Sequence, residues 1–329
     1  MDTTANTYYH FFQQHLPSLS GQRLGVSVSG GVDSMALLHL SSRFSNCFGY
    51  RVSAIHFNHG LRSQSREEEA SVVSYCESLQ IPCTVHTFLP DDWKQAPGTG
   101  MEEKARELRA RVFQTLISEQ SVDWILLGHS QDDWTETVLF HFIRGCSPSH
   151  LSDALKAVDR NRKILRPLLT VPKSKLIEYA HHFHLPTHED ETNLDTTYSR
   201  NKIRHQILPL IQAINPNFNE ALDHFTRILK SEETILEQET INAWHNLVKT
   251  DEPAYLCLDK TLWKKQNPAI QLRLLRKIRE HLSGNRRDFY YSQLISVQMG
   301  IMTMVHFHFE DKMMRIDCTE DCIKARKRG

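Results

Sequence analysis

No Cys-x-x-Cys occurs in this sequence. Its seven cysteines are scattered, with Cys318 and Cys322 the one close pair, so a disulfide framework, a zinc ribbon and a thiolate-held cluster all lack support. The cysteines read instead as reduced thiols, most of them small core residues. Charge of one sign is missing too. Lys+Arg and Asp+Glu both number 39, so the whole chain gives no sign of a polyanion partner and only local patches can. No apolar run approaches membrane-spanning length. The stretch from Met1 to Ser20 mixes Tyr, His, Phe and Gln without a basic start or an apolar centre, so no signal peptide is expected and the chain reads as cytoplasmic.

What is present begins with Ser29-Gly30-Gly31-Val32-Asp33-Ser34, set between an apolar run from Leu24 to Val28 and a helical pattern from Met35 to Leu40. This is a strand, a glycine turn and a helix start. Two glycines without Cβ let the backbone bend so that several N–H groups share one concavity. Ser34 is the expected helix cap, and the positive end of the helix dipole faces the same space. Phosphate suits such a place, although a glycine pair can also be a plain tight turn. The turn has no Gly-Lys-Ser/Thr ending and no Gly-x-Gly-x-x-Gly, so it is neither a Walker loop nor a dinucleotide fingerprint. It resembles the pyrophosphate loop of the PP-loop, or N-type, ATP pyrophosphatases.

Further strands are expected at Arg51 to Phe57, Cys83 to Phe88 and Trp124 to Leu127, with helices at Ser65 to Leu79 and Met101 to Ile117. Asp91 to Gly100, bounded by prolines and glycines, reads as a flexible connection. Strands alternating with helices imply a parallel sheet covered on both faces. Ligands of such sheets sit beyond the carboxyl ends of the strands, which places Ser29 to Ser34, the Asn58 to Arg62 loop with His59 and Arg62, and Gly128 to Asp133 around one crevice.

The second cluster runs from His129 through Asp132, Asp133 and Glu136, on a helix reaching about Arg144. Asp133 and Glu136 are three apart and share a face. Beside a phosphate loop, paired carboxylates suit Mg²⁺; alone, they also suit a helix N-terminus. Arg106 and Arg109 lie together off the apolar stripe of their helix and could hold phosphate, but with Glu102 and Glu103 nearby the residues alone favour a solvated face. Pro172 to Phe183 reads as a helix with proline in its first turn. The stretch from Asp190 to Arg204 is densely polar and precedes a short helix ending near Pro209.

Length and composition favour two domains, placed at 1–214 and 215–329. The second reads as mainly helical and basic. Phe218 to Lys249 has long helical periodicity. Lys260, Lys264, Lys265, Arg273, Arg276, Lys277, Arg279, Arg286 and Arg287 face few acids, with Leu272, Leu275, Ile278 and Leu282 as the buried face and the cations turned outward. That surface suits an RNA backbone, or is a solvated helix. Met304 to Phe309 alternates as a strand that Lys312 to Asp317 could join, and Lys324 to Arg328 reads as a disordered tail.

The order of motifs resembles the tRNA(Ile)-lysidine synthetases: Ser-Gly-Gly-Val-Asp-Ser, Asn-His-Gly-Leu-Arg, Glu102 with Ala105-Arg106 and Arg109, Gly-His-x-x-Asp-Asp-x-x-Glu-Thr, Arg-Pro-Leu-Leu, then Asp-x-Thr-Asn-x-Asp-x-x-Tyr-x-Arg-Asn-x-Ile-Arg. The resemblance runs from about Leu24 to Pro209, and the last segment is its most specific part. It implies an adenine nucleotide alpha hydrolase-like catalytic domain that uses ATP and Mg²⁺. The reaction implied joins free L-lysine to C2 of the wobble cytidine of an isoleucine tRNA with anticodon CAU, through an adenylated base, changing codon reading from AUG to AUA. Ser29, Gly30, Gly31, Val32, Asp33 and Ser34 would then hold the nucleotide, with Asp33 and Asp133 as the central carboxylates. His59, Arg62, Arg106, Arg109, His129, Asp132 and Glu136 would line the site, and Mg²⁺ would fall to Asp133 and Glu136. Arg200, Asn201 and Arg204, then Lys264, Lys265, Arg273, Arg276 and Lys277, would meet tRNA; a homodimer is left open. Ala110 stands where the family has tyrosine, and Cys146 to His150 where it has a glycine-rich turn. The final third is short for the family, which would leave tRNA selection fewer contacts. The rival readings are a PP-loop tRNA thiolase and a non-catalytic ATP- and RNA-binding protein.

Overall fold

The computed structural model describes residues 2–15, 19–58, 65–98, 100–146, 151, 156–188, 199–284 and 291–328. His59 and Arg62, most of the polar stretch before Ser199, and Arg286 and Arg287 therefore lie outside the described residues. The chain divides into two compact units, Met1–Thr226 and Arg227–Gly329. No helix among the described residues is long and apolar enough to cross a membrane.

In the first unit, β1 (Arg23–Val28), β2 (Arg51–Asn58), β3 (Cys83–Thr87) and β4 (Trp124–Leu127) are parallel neighbours in the order β3-β2-β1-β4. The short β5 (Val158–Asp159) and β6 (Ile164–Leu165) complete the sheet as β4-β6-β5, with β5 the antiparallel edge. Alternation along the strands feeds two cores, as a sheet covered on both faces requires. Val26, Ala54 and Leu126 pack with Tyr8 and Phe12 of α1 (Thr3–His15), Met35 and Leu37 of α2 (Val32–Phe48), and Cys76 of α3 (Ser65–Ser78). Ile55, Phe57 and Ile125 pack on the other face with Trp93 of α4 (Pro90–Gln95) and Leu108 and Phe113 of α5 (Met101–Ser118). Helix α4 occupies half of the segment expected as a flexible connection; Asp92 caps it by accepting from the Leu89 N–H at 2.8 Å, and buried Trp93 anchors it.

After β1 the chain builds β2 and β3 on one side, then crosses to β4 on the other. The connections that follow the adjacent parallel strands β1 and β4 thus run to opposite sides of the sheet, and a crevice opens beyond their carboxyl ends. The loop after β1 starts α2, and the loop after β4 starts α6 (Gln131–Ile143). Further on come α7 (Lys173–His182), α8 (Ser199–Lys202), a π-helical turn over Ile203–Ile207 and α9 (Leu208–Ile214), so the helical run passes through Pro209 instead of ending there.

The division into units falls within α10 (Phe218–Leu247). The second unit has the expected helix over the Leu272 to Leu282 stripe, α12 (Pro268–Ser283), preceded by the short α11 (Lys260–Lys264) and followed by α13 (Tyr291–Thr303), which the sequence reading did not name, and also a five-stranded antiparallel sheet ordered β7-β8-β11-β10-β9. The strands are β7 (Val248–Glu252), β8 (Tyr255–Asp259), β9 (Phe307–Glu310), β10 (Met314–Cys318) and β11 (Cys322–Lys327). The pairing of 307–310 with 314–318 is the expected one. The expectation of a disordered tail is overturned: β11 is the central strand, bonded to β8 and β10, with Ile323 and Ala325 fully buried. Its basic residues alternate with that core face, and the alternation, obscured by the basic composition, is what makes it a strand.

The basic face is corrected as well. Arg279 is buried against Asp311, and Arg273 forms a fork on Glu233 at 2.9 Å from Nη1. Lys260 is fully buried and its Nζ donates to the carbonyls of Met304, Val305 and Thr319 at 2.7, 2.9 and 2.9 Å. Lys277 lies over the Trp244 ring, while Arg276 is half-buried and burial holds its pKa below the usual arginine value. Lys264 and Lys265 remain exposed.

Replacing Ile323 by Ala should cost about 2–4 kcal/mol in urea denaturation, as for a large-to-small change in a packed core. Lys327→Ala, at an exposed position of the same strand, should stay within about 0.5 kcal/mol. Equal, negligible effects would mean a loose tail.

Candidate active site

Gly30 has φ +88°, in the left-handed region that favours glycine, and its carbonyl accepts the His188 N–H at 3.0 Å. Helix α2 begins at Val32 with Gly31 as its cap, and no side chain caps it. Ser34 is therefore not the cap. Its hydroxyl donates back to the Gly31 carbonyl at 2.9 Å and accepts the Ser29 N–H at 3.1 Å, closing the loop on itself. The first intrahelical bond runs from Met35 N–H to the Gly31 carbonyl at 3.0 Å, so the N–H groups of Val32, Asp33 and Ser34 precede the helical ladder, where an anion can meet them.

The loop after β4 comes against this turn through Gly128. A Cβ there would lie 3.0 Å from the carbonyl carbon and oxygen of Asp33 and from Cα of Ser34. Absence of a side chain is what lets the two loops share one cleft. Its volume is about 150 Å³, and Ser29, Gly31, Asp33, Ser34, Arg109 and His129 are among its lining residues.

Asp33 Oδ2 receives Lys173 Nζ at 3.2 Å, while Oδ1 is buried without a hydrogen-bond partner among the described residues. Burial raises the Asp33 pKa above the usual aspartate value, and the Lys173 charge opposes that rise. Lys173 is fixed from behind, because its own N–H donates to Asp132 Oδ2 at 2.7 Å and Gln131 N–H donates to the Val171 carbonyl at 2.9 Å. Asp132 thus positions Lys173.

Helix α6 starts with a capping box: Ser130 N–H and hydroxyl both donate to Asp133 Oδ2 at 2.9 Å, and the Ser130 hydroxyl accepts the Asp133 N–H at 3.4 Å. The helix-start reading of this carboxylate therefore holds. Arg204, in the π-helical turn, donates from Nε to Glu136 Oε1 at 2.6 Å and from Nη2 to Glu136 Oε2 at 2.9 Å and Asp133 Oδ1 at 3.1 Å. Glu136 is buried, which raises its pKa, and Arg204 opposes the shift. Both carboxylates expected to hold Mg²⁺ are thus engaged by Arg204, and the described residues contain no group of three or more His, Cys, Asp or Glu spaced for a metal.

Arg166 Nε donates to His129 Nδ1 at 3.0 Å, which puts the ring hydrogen of neutral His129 on Nε2. The ring edge opens to solvent at the cleft, but its protein surroundings and the Arg166 charge hold its pKa below the ordinary histidine value. Arg109 lines the cleft, against the solvated-face reading, while Arg106 stays exposed. Arg200 Nη2 donates to Thr137 Oγ1 at 3.3 Å, and Asn201 is half-buried beside it in α8.

Sequence reasoning gave no role to Lys173, Arg166 or Ser130. Lys173 carried a signal. A cation in the first turn of a helix opposes the dipole, so a lysine directly after Pro172 calls for a carboxylate elsewhere, here Asp33.

Arg204→Ala should destabilise the protein by about 3–5 kcal/mol in denaturant unfolding, because it strands a buried carboxylate. Adding Glu136→Gln should recover part of the loss, and additive losses would mean the two do not interact. A separate check follows from the raised Asp33 pKa. A carboxyl that binds its proton more tightly when folded adds stability as pH falls. Wild type should therefore gain stability relative to Asp33→Asn as pH drops through the range just above the ordinary aspartate value; a pH-independent difference would contradict the burial of Asp33.

The PP-loop domain family matches residues 1–211. The tRNA(Ile)-lysidine synthase of Nitrosomonas europaea is 37% identical over 234 residues, covering 69% of this chain and 49% of its own. That of Thermotoga maritima is 32% identical over 314 residues, covering 92% of this chain and 75% of its own. The chain spans about half the length of the Nitrosomonas relative and 55% of that of Nitratidesulfovibrio vulgaris. Among solved structures, the U34-tRNA thiolase NcsA of Methanococcus maripaludis, with its 4Fe-4S cluster, superposes with a TM-score of 0.57 at 18% identity, over 68% of this chain and 78% of that one. That likeness is one of fold.

Proposed function

The chain belongs to the tRNA(Ile)-lysidine synthase family of PP-loop proteins, and on that premise we propose that it ligates free lysine to the wobble cytidine of an isoleucine tRNA with anticodon CAU. The observation that carries this reading is an open glycine loop lining one cleft with Asp33, Arg109 and His129, with Asp133 near enough to Asp33 to act on its charge and tied to Glu136 through Arg204. In the first step the C2 oxygen of cytosine attacks the α-phosphorus of ATP. A P–O bond forms to the base, the bond to the β-phosphate oxygen breaks, and pyrophosphate leaves. In the second step the neutral ε-amine of lysine attacks C2, a C–N bond forms, the C–O bond breaks and AMP departs with the oxygen.

Charge builds on the leaving pyrophosphate, and the N–H groups of Val32, Asp33 and Ser34 with Arg109 are placed to receive it. His129 offers its Nε2 hydrogen to an oxygen in the cleft. Asp133 is held from both sides, by Ser130 and Arg204, and so is suited to anchor the lysine amine and take its proton. Where Mg²⁺ accompanies ATP, the unpartnered Oδ1 of Asp33 fits it better than the oxygens already on Arg204, most other ligands coming from phosphate and water. The ion would neutralise charge on the leaving group. The described residues lining the cleft include no cysteine, which favours an amine over a sulfur donor.

With ATP, Mg²⁺, labelled lysine and unmodified CAU isoleucine tRNA, label should enter the tRNA and release one pyrophosphate per lysine. Asp33→Ala and Asp133→Ala should each lower that rate at least about 100-fold, the loss typical of a removed catalytic group. Pyrophosphate release without label would assign a different nucleophile, and no release from ATP-binding protein would leave a non-catalytic binder.

A further inference from the structure

Two cations hold the carboxylates at the cleft, and they are built differently. Arg204 grips Glu136 with a planar fork, at 2.6 Å from Nε and 2.9 Å from Nη2, and reaches Asp133 as well. Lys173 makes one bond, from Nζ to Asp33 Oδ2 at 3.2 Å, longer than the about 2.7–2.9 Å usual for a charged pair. Its side chain is 42% exposed, against 29% for Arg204, and it makes no second ion pair among the described residues. An ammonium on a flexible stem is a point charge that turns between acceptors, whereas a fork is committed to one geometry. The arginine is fixed and the lysine is exchangeable.

Anchoring points the same way. The root of Lys173 is pinned, because its N–H donates to Asp132 Oδ2 at 2.7 Å. Only the stem is left to move. The ammonium also belongs to the first turn of α7, where the helix dipole opposes a cation, so its placement serves the cleft and not the helix. Among the described residues lining the cleft Asp33 is the one acid, and a polyphosphate on the glycine loop lies beside it. Its Oδ2 carries the ammonium, while Oδ1 is buried without a partner among the described residues. A divalent ion on Oδ1 would set two cations on one carboxylate beside a polyanion, and the ammonium is the more weakly charged of the two.

We propose that Lys173 is an exchangeable counter-ion: it balances Asp33 until nucleotide binds, then yields that carboxylate to Mg²⁺ and carries its own charge to the phosphates. The inference rests on the proposed ATP chemistry of the same cleft. Asp33 is thereby matched before and after ATP enters, and a second cation beside Arg109 reaches the leaving pyrophosphate.

The test uses the full chain and the variants Lys173→Met, Lys173→Arg, Asp33→Asn and the double variant Asp33→Asn with Lys173→Met. Mn²⁺ stands in for Mg²⁺, with the free ion read by electron paramagnetic resonance, and the binding that disappears with Asp33→Asn reports the site. Without nucleotide, Lys173→Met should bind that Mn²⁺ about ten-fold more tightly, because the competing ammonium is gone. With no divalent ion present it should bind ATP about ten-fold more weakly, and the same loss should appear between Asp33→Asn and the double variant, where no acid needs balancing. Lys173→Arg should stay near wild type in both assays. Unchanged Mn²⁺ affinity in Lys173→Met would overturn the exchange. So would an ATP loss confined to protein that keeps Asp33, since the lysine would then act only by balancing that acid. Wild type supplies a check that needs no variant to fold: labelling of the Lys173 amine by acetic anhydride, read by mass spectrometry, should rise with Mn²⁺ and fall when ATP joins it, and labelling indifferent to both would overturn the proposal. Both affinity shifts without lysine transfer to tRNA would uphold the exchange and remove the ligase reading, whereas transfer by wild type with neither affinity moved in Lys173→Met would do the reverse.

Discussion

Three carboxylates gather beneath one small cleft, and the arrangement depends on the cations that hold them. Two acids within reach of each other and out of bulk water would draw protons or drive the site apart. Arg204 prevents this for Asp133 and Glu136, because its planar fork pairs with both oxygens of Glu136 and reaches Asp133 from the same edge. Lys173 does the same for Asp33. The folding of the region around the cleft follows from these needs. The π-helical turn aims Arg204 inward, the bond from Lys173 N–H to Asp132 ties α7 to α6, and the missing side chain at Gly128 lets the loops close.

These pairings also shape what the cleft can receive. Asp33 lines it with its charge matched by Lys173, and the N–H groups that open α2, Arg109 and His129, whose pKa burial and the Arg166 charge hold low, face the same space. A polyphosphate suits the N–H groups and Arg109. Because each nearby acid is already paired with a cation, acids can stand close to an anion site without repelling its ligand.

Much of the fold was legible in the sequence because its cause is local. The apolar runs at Leu24 to Val28 and Trp124 to Leu127 mark strands buried on both faces, and the order of strand, loop and helix places the crevice. The motif order marked Asp33, Asp133, Glu136, Arg109 and His129, which the fold brings together. What was hidden depends on partners distant in sequence. Ser34 looked like a cap because hydroxyls favour caps, yet the helix starts earlier, at a glycine. Lys173 acquires meaning only beside a residue far up the chain.

The second unit shows the same limit most clearly. Composition counted Lys260, Arg273 and Arg279 as an outward basic face, but composition has no direction. Lys260 ends on backbone carbonyls that no sequence pattern announces, and the two arginines turn to Glu233 and Asp311 across long stretches of chain. A cation so buried must have acceptors that cancel its desolvation, so these three serve the fold and are withdrawn from any polyanion. The basic charge left for a partner is smaller than the count suggests and is concentrated on exposed residues such as Lys264 and Lys265. At the far end of α6 the reverse holds: Arg144 was given no role by composition, yet it is exposed and has no ion pair among the described residues. Charge tells of binding only after the fold has used what it needs.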